Sequence, residues 1–199
     1  MVFIRKATTG DVDQIVQTLC KAFIEDAFIN YLIRQDGKKE QGFKIFFEKI
    51  LTESSLPYHE VLISAKSEGA ALWIPSEHVK MSLWKQILLL PSMIKAAGMR
   101  GVNRMLACAD ELNKFHPREK HYYLYFIGVD PEYRKQGIAS ALLKPVLERC
   151  DLEGTGAYLE NTNPDNYAFY ERHAFQIVRE IIVGKHAPPL WAMWRHPQG

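Results

Sequence analysis

The chain has 199 residues, 47% of them hydrophobic, which is enough for one substantial core and cramped for two full domains. Its 25 basic and 23 acidic side chains leave a formal charge of +2, which excludes a strong whole-molecule field and with it nucleic acid as the expected partner. Three widely separated cysteines without CxxC spacing, seven histidines without HExxH, no apolar leader at the start and no run near the roughly 20 residues of a bilayer span lead to four expectations: a cytoplasmic location, reduced thiols, no metal and no stable membrane insertion.

Residues 2–7 read as a short strand. Asp11 with Gln14 three residues on makes a capping-box-like start, and Val12, Ile15, Val16, Leu19 and Phe23 at helical spacing predict a helix over 11–23. The period breaks over 25–31, and a second helix is expected at 39–51. Residues 60–65 and 70–74 read as an antiparallel hairpin across Lys66-Ser67-Glu68-Gly69. From 81 to 115 a helical pattern is interrupted by Pro91, Gly98 and Gly101, which predicts an insertion of two or three helical pieces. An aromatic and β-branched strand follows at 122–129, with Gly128 marking a bulge or a close approach of backbone. A turn at 130–133, a helix at 137–150, a strand at 157–161, a short helix at 165–173 and strands at 175–183 and 190–194 complete the chain. With no repeat and no low-complexity linker, residues 1–199 read as one α/β domain, a mixed sheet of seven strands with helices on both faces.

The chemistry concentrates where strand 122–129 runs into helix 137–150. Main-chain N–H groups that open a helix lack intrahelical partners and form an anion seat. Gly137 and Ala139 leave room for a phosphate, and Arg134 and Lys135 add positive charge. Charge-assisted hydrogen bonds of about 1.5–3 kcal/mol each would let three or four of them hold a pyrophosphate. A strand-to-helix turn with solvated basic side chains accounts for the same residues, and the glycine spacing matches neither a Walker A loop nor a Rossmann fingerprint.

The pattern Arg134-x-x-Gly137-x-Ala139 after a strand ending in Gly128-Val129 resembles the signature of the GCN5-related N-acetyltransferases, the GNAT family. Glu160-Asn161, then Asn166, Tyr170, Glu171 and Arg172 before His173-Ala174-Phe175, follow in the family's order. The aromatic start His121-Tyr122-Tyr123-Leu124, Pro145 within the helix, and 190–195 resemble the puromycin N-acetyltransferase-like subgroup. Ala139 stands where a second glycine is more usual, and Ala174 stands where the family has glycine, so a different C-cap is expected there. Pro145 is expected to kink its helix. The resemblance implies a GNAT fold with a central, mostly antiparallel sheet, acetyl-coenzyme A as cofactor, and transfer of its acetyl group to a primary amine of a small molecule, or less readily of a protein. The protein would act as a monomer or homodimer.

By the same resemblance, main-chain groups of Ile127, Gly128 and Val129 pair with the pantetheine arm. The N–H groups of Arg134, Lys135, Gln136, Gly137, Ile138, Ala139 and Ser140 take the pyrophosphate, and Asn166 holds the arm. Tyr170 is the candidate general acid for the departing thiolate, against a reading as a core aromatic. Glu160 is the candidate base for the acceptor amine, against a reading as a strand-end carboxylate paired with an arginine. Asp26, Phe28, Tyr31 and Trp73, with the 81–115 insertion, are candidates for the acceptor pocket, or else core packing and loop. The insertion reads as a lid over the acceptor, or as a membrane-surface or docking helix. A non-catalytic acyl-coenzyme A sensor on the same fold is the alternative function. A serine hydrolase is excluded by the absence of GxSxG, and a catalytic cysteine is the minor alternative to buried thiols.

Overall fold

The computed structural model describes residues 2–79 and 83–199, so Met81 and Ser82, where the insertion was expected to begin, lie outside the described residues. In chain order the elements are β1 (Ile4–Lys6), α1 (Val12–Phe23), α2 (Ala27–Leu32), α3 (Lys39–Ile50), β2 (Val61–Ser64), β3 (Gly69–Pro75), α4 (Leu83–Phe115), β4 (His121–Val129), α5 (Ile138–Glu153), β5 (Gly156–Asn161), α6 (Tyr167–Arg172), β6 (Gln176–Ile181) and β7 (Leu190–Arg195). They form a seven-stranded sheet in the order β1-β2-β3-β4-β5-β7-β6. Every pairing is antiparallel except β4 with β5.

The period-2 alternation of the strands divides two cores between the sheet's faces. Ile15 and Leu19 of α1, Phe43 and Phe47 of α3, and Cys108 of α4 pack on one face with Ile63, Leu72, Tyr123 and Tyr158. On the other face Leu142, Leu143 and Val146 of α5 and Tyr170 of α6 pack with Trp73, Leu124, Leu159 and Phe175. Two bidentate pairs fasten α5 at its second half, Arg149 to Glu60 at 2.6 and 2.9 Å and Arg195 to Asp151 at 2.7 and 2.8 Å.

Several local expectations change. Asp11 does not cap α1 with Gln14; it accepts the N–H and hydroxyl of Thr8 at 2.8 and 2.9 Å and pairs with Arg5. Gln14 instead accepts from Ser67 at 2.7 Å. The aperiodic stretch after α1 is itself helical, because Asp26 accepts the Ile29 N–H at 2.8 Å and caps α2. Of the three interruptions expected in α4, only Gly98 leaves helical geometry, at φ 68°. Helix α5 runs through Pro145 to Glu153.

The loop after α6 needs no different cap. Ala174 takes the left-handed conformation itself, at φ 62°, with Ala174 N–H on Glu171 O at 2.9 Å and Phe175 N–H on Tyr170 O at 3.1 Å. That is a Schellman ending, and the rings of Tyr170 and Phe175, 5.9 Å apart, supply its apolar contact. A residue with a Cβ is strained there by about 1–2 kcal/mol, which glycine's extra freedom in the unfolded chain offsets only in part. Ala174→Gly should therefore stabilise the protein by about 0.5–1 kcal/mol, read as a higher urea midpoint with an unchanged slope; a lower midpoint would contradict the reading.

Candidate functional site

The site begins with a misfit between β4 and its neighbours. Leu72 pairs with Phe126 but Trp73 pairs with Leu124, so Tyr125 is an extra residue without a β3 partner. A bulge of this kind bends the strand and turns two consecutive side chains to one face. Tyr125 and Phe126 both pack toward the α1–α3 face, their rings 4.8 Å apart. Beyond the bulge β4 leaves β5: the parallel ladder runs from His121–Gly156 to Leu124–Leu159, with no later pair among the described residues. A wedge opens between residues 125–129 and the end of β5.

Gly128 lies in the diverging half, three residues past the bulge rather than on it. Its close approach is to α1, since a Cβ there would stand 2.9 Å from Ala22 Cβ and 3.0 Å from Leu19 Cδ2. Ile127 and Val129 turn their side chains to the α5 face. The turn after β4 is tied back to α1: Lys21 pairs with Asp130 at 2.7 Å, and Arg134 donates to the Ala22 carbonyl at 3.1 Å. The Arg134 guanidinium is thus held by α1.

The main chain then enters α5 through Lys135 at φ 63° and Gly137 at φ 80°. The first recorded helical bond is Ala141 N–H to Gly137 O, and the N–H groups from Lys135 to Ser140 have no main-chain acceptor among the described residues. Residues 134–137 are exposed, and no atom stands within 4 Å of a Cβ built on Gly137. These features fit a phosphate group. The Ser140 hydroxyl is engaged with His173 Nε2 at 3.0 Å, which leaves its N–H for an anion. Beside this seat lies a cleft of about 470 Å³, with Lys144, Arg172 and His173 among its walls.

Tyr170 and Glu160 lie on opposite faces of the sheet. Tyr170 is buried in the α5-side core, and burial raises its pKa above that of an ordinary phenol. Asn166 is exposed, with no side-chain hydrogen bond among the described residues. Glu160 belongs to the other face. It has no arginine partner among the described residues; Tyr123 donates to its Oε2 at 2.6 Å, and its Oε1 is buried without a partner. Burial pushes its pKa up to about 7, against the lowering effect of its tyrosine neighbours.

The acceptor candidates are not gathered into one pocket. Trp73 is fully buried in the core beneath α5, on the face opposite Glu160, and has no surface to offer an acceptor. Phe28 is buried as well. Asp26 is committed through both oxygens, to Ile29 N–H and to Thr162 Oγ1 at 2.7 Å, so it serves α2 and the end of β5. Tyr31 is half-buried under Arg104, whose guanidinium lies 4.6 Å from its ring. Helix α4 buries Ala96, Ala97, Val102 and Cys108, whereas Trp84, Ile87 and Leu88 are exposed by 61–82%, which a closed lid would not leave bare. Among the described residues no helix is long and apolar enough to cross a membrane. Burial pushes Cys20 up to about 11 and Cys108 and Cys150 to about 12, which disfavours a catalytic thiolate.

The sequence reading passed over the group around Glu160. Tyr158 lies two residues earlier on the same face, and Tyr123 stands opposite it in register. His116 and His121 are next to them, Nε2 to Nε2 at 3.1 Å, with the His116 ring 5.1 Å from both Tyr123 and Tyr158. Strict alternation back from Glu160 was the available signal for Tyr158.

A carboxyl whose folded pKa exceeds its unfolded value holds its proton more tightly when folded. Stability should then fall as pH rises from about 4.5 to about 7, and the penalty remains above that range. Glu160→Gln removes this penalty. It should be more stable than the parent at pH 8 by something on the order of 2–3 kcal/mol, with the advantage gone at pH 4; an equal difference at both pH values would contradict the burial of a titrating acid.

Comparison with known proteins bears on the family and the fold. The Acetyltransferase (GNAT) family model matches residues 94–175. An uncharacterized N-acetyltransferase of Schizosaccharomyces pombe is 24% identical over 212 residues, covering 98% of this chain and 83% of that protein. The structure of the histone acetyltransferase HPA2 and related acetyltransferase of Corynebacterium glutamicum aligns over 100% of this chain and 97% of that one, at 24% identity and TM-score 0.73. Arylalkylamine N-acetyltransferase 2 of Aedes aegypti aligns over 99% of both chains at 15% identity and TM-score 0.66. The two structural likenesses speak for the fold.

Proposed function

We propose that this chain, an acetyltransferase whose residues 94–175 match the GNAT family model, moves the acetyl group of acetyl-coenzyme A directly to a primary amine of a small molecule. The wedge that opens where the β4–β5 ladder ends at Leu124–Leu159 is the observation that carries this reading, with Glu160 and Tyr170 on opposite faces of the sheet. When bound, acetyl-coenzyme A supplies an activated acetyl thioester. The free N–H groups from Lys135 to Ser140 would hold its pyrophosphate, and Lys135 adds charge. The main-chain edge of Ile127, Gly128 and Val129 that faces away from β3 would pair with the pantetheine arm, with Asn166 across the wedge. The cleft by Lys144 and Arg172, which Glu148 and Asp151 also line, would have room for the nucleotide end.

In this assignment Glu160 accepts a proton from the acceptor amine, which is mostly protonated at neutral pH. A carboxyl with a pKa near 7 is half ionised there, and so able to take a proton and release it again. Tyr170 donates its hydroxyl proton to the departing sulfur. Burial makes it reluctant to ionise before a thiolate appears, as a general acid should be. The aromatic start of β4, Pro145 and Glu160 support the puromycin N-acetyltransferase-like subgroup. We read the whole chain as one catalytic unit acting in the cytoplasm as a monomer or homodimer.

A panel of amines with acetyl-coenzyme A, followed by free thiol release, tests the reading. Tyr170→Phe should lower kcat by about 10²-fold or more with coenzyme A binding unchanged, and Glu160→Gln should remove the acidic limb of the kcat/KM profile near pH 7. Tight coenzyme A binding with no thiol released on any amine would favour an acyl-coenzyme A sensor instead.

A further inference from the structure

The first half of α4 carries apolar side chains that neither the core nor the transfer site uses. From Leu83 to the break at Gly98 it packs inward through Met93, Ala96 and Ala97. The Arg34 main-chain N–H and guanidinium donate to the Ala96 and Lys95 carbonyls at 3.4 and 3.1 Å, and Lys85 pairs with Glu53 at 3.7 Å. This half is therefore already seated on the fold. Its opposite face is not polar. Trp84, Ile87, Leu88 and Pro91 follow one another at helical spacing, with Lys95 next in line, and all of them are exposed. A surface helix normally turns charged and polar side chains to water, and a contiguous apolar face marks an interaction surface.

The charge on the same segment points to the occupant. From Leu83 to Ala109 the sequence has Lys85, Lys95, Arg100 and Arg104 and no acidic residue, in a chain whose charges otherwise nearly balance. Arg104 is drawn inward onto Tyr31, donating to its carbonyl at 2.7 Å, and Lys85 is held by Glu53. Lys95 and Arg100 are exposed and without an ion pair among the described residues. Apolar side chains led by a tryptophan and flanked by cations fit the boundary between acyl chains and headgroups of an anionic membrane. A second copy fits less well, because an isologous interface would set these cations against their own images. The piece is about 22 Å long, below the roughly 30 Å of a bilayer core, so it would lie along the surface rather than across it.

We propose that the first half of α4 is a reversible docking surface for anionic phospholipid. Trp84, Ile87 and Leu88 enter the interface, and Lys95 and Arg100 meet the phosphate headgroups. Docking leaves the contacts with Arg34 and Glu53 intact, since they belong to the inward side of the helix. It is also independent of acetyl transfer, so either can fail without the other.

Co-sedimentation of the full chain with vesicles tests this. Vesicles of equal parts phosphatidylcholine and phosphatidylserine should carry the protein down at low salt, and pure phosphatidylcholine should carry much less. Trp84→Ser with Leu88→Ser should weaken that partition by about tenfold or more, and Lys95→Glu with Arg100→Glu by about as much. All four side chains are exposed, so the melting temperature and coenzyme A binding should stay at parental values. Tryptophan emission should shift to the blue on the anionic vesicles, and Trp84→Phe should keep the binding while losing the shift. A parent that stays in the supernatant with both compositions would overturn the proposal, and so would binding that Trp84→Ser with Leu88→Ser leaves unchanged. If those substitutions instead turn a dimer into a monomer while vesicles capture nothing, the proposal fails and the face belongs to a second copy.

Discussion

One extra residue in β4 organises the site. Because Tyr125 has no partner on β3 among the described residues, the strand bends after Leu124 and parts from β5, its parallel neighbour. Sheets close up wherever main-chain groups can pair, so an open wedge inside one persists only if the two strands are held apart. Here the hold comes from α1. It packs so tightly on Gly128 that a Cβ would crowd Ala22 and Leu19, and its far end is tied to the turn beyond β4 through Lys21–Asp130 and Arg134–Ala22. The same turn delivers the chain into α5 with its first N–H groups free of main-chain acceptors among the described residues, so the wedge and this free helix start share one cause.

The wedge also separates two environments by sheet face. The α5 face supplies a phenol in an apolar core; the α1–α3 face supplies a carboxylate among tyrosines. Burial acts on both groups in the same sense, disfavouring the charged form. For Tyr170 this keeps the hydroxyl protonated, and for Glu160 it lifts the titration to about pH 7.

Much of the frame was legible in the sequence because it rests on local signals: the seven strands, the hairpin at Gly69, and the turn into α5 each carry their own alternation or turn chemistry. What was missed depends on tertiary context. Asp26 looked like a lone carboxylate near a pocket, yet Thr162, far away in sequence, takes one of its oxygens. Trp73 looked available until β3 placed it beneath α5. Ala174 was expected to force a new cap, whereas the Tyr170–Phe175 contact holds it in a conformation its own Cβ disfavours. The tyrosines around Glu160 belong to two strands whose register no local pattern announces.

Amide hydrogen exchange with and without coenzyme A measures the central claim directly, since it reports which N–H groups the ligand covers. The account predicts new protection in two stretches, 126–129 on the open edge of β4 and 135–140 at the start of α5, with β1 and β2 unchanged. Coenzyme A binding that leaves both stretches exchanging as in the free protein, or protects a different part of the chain, would contradict it.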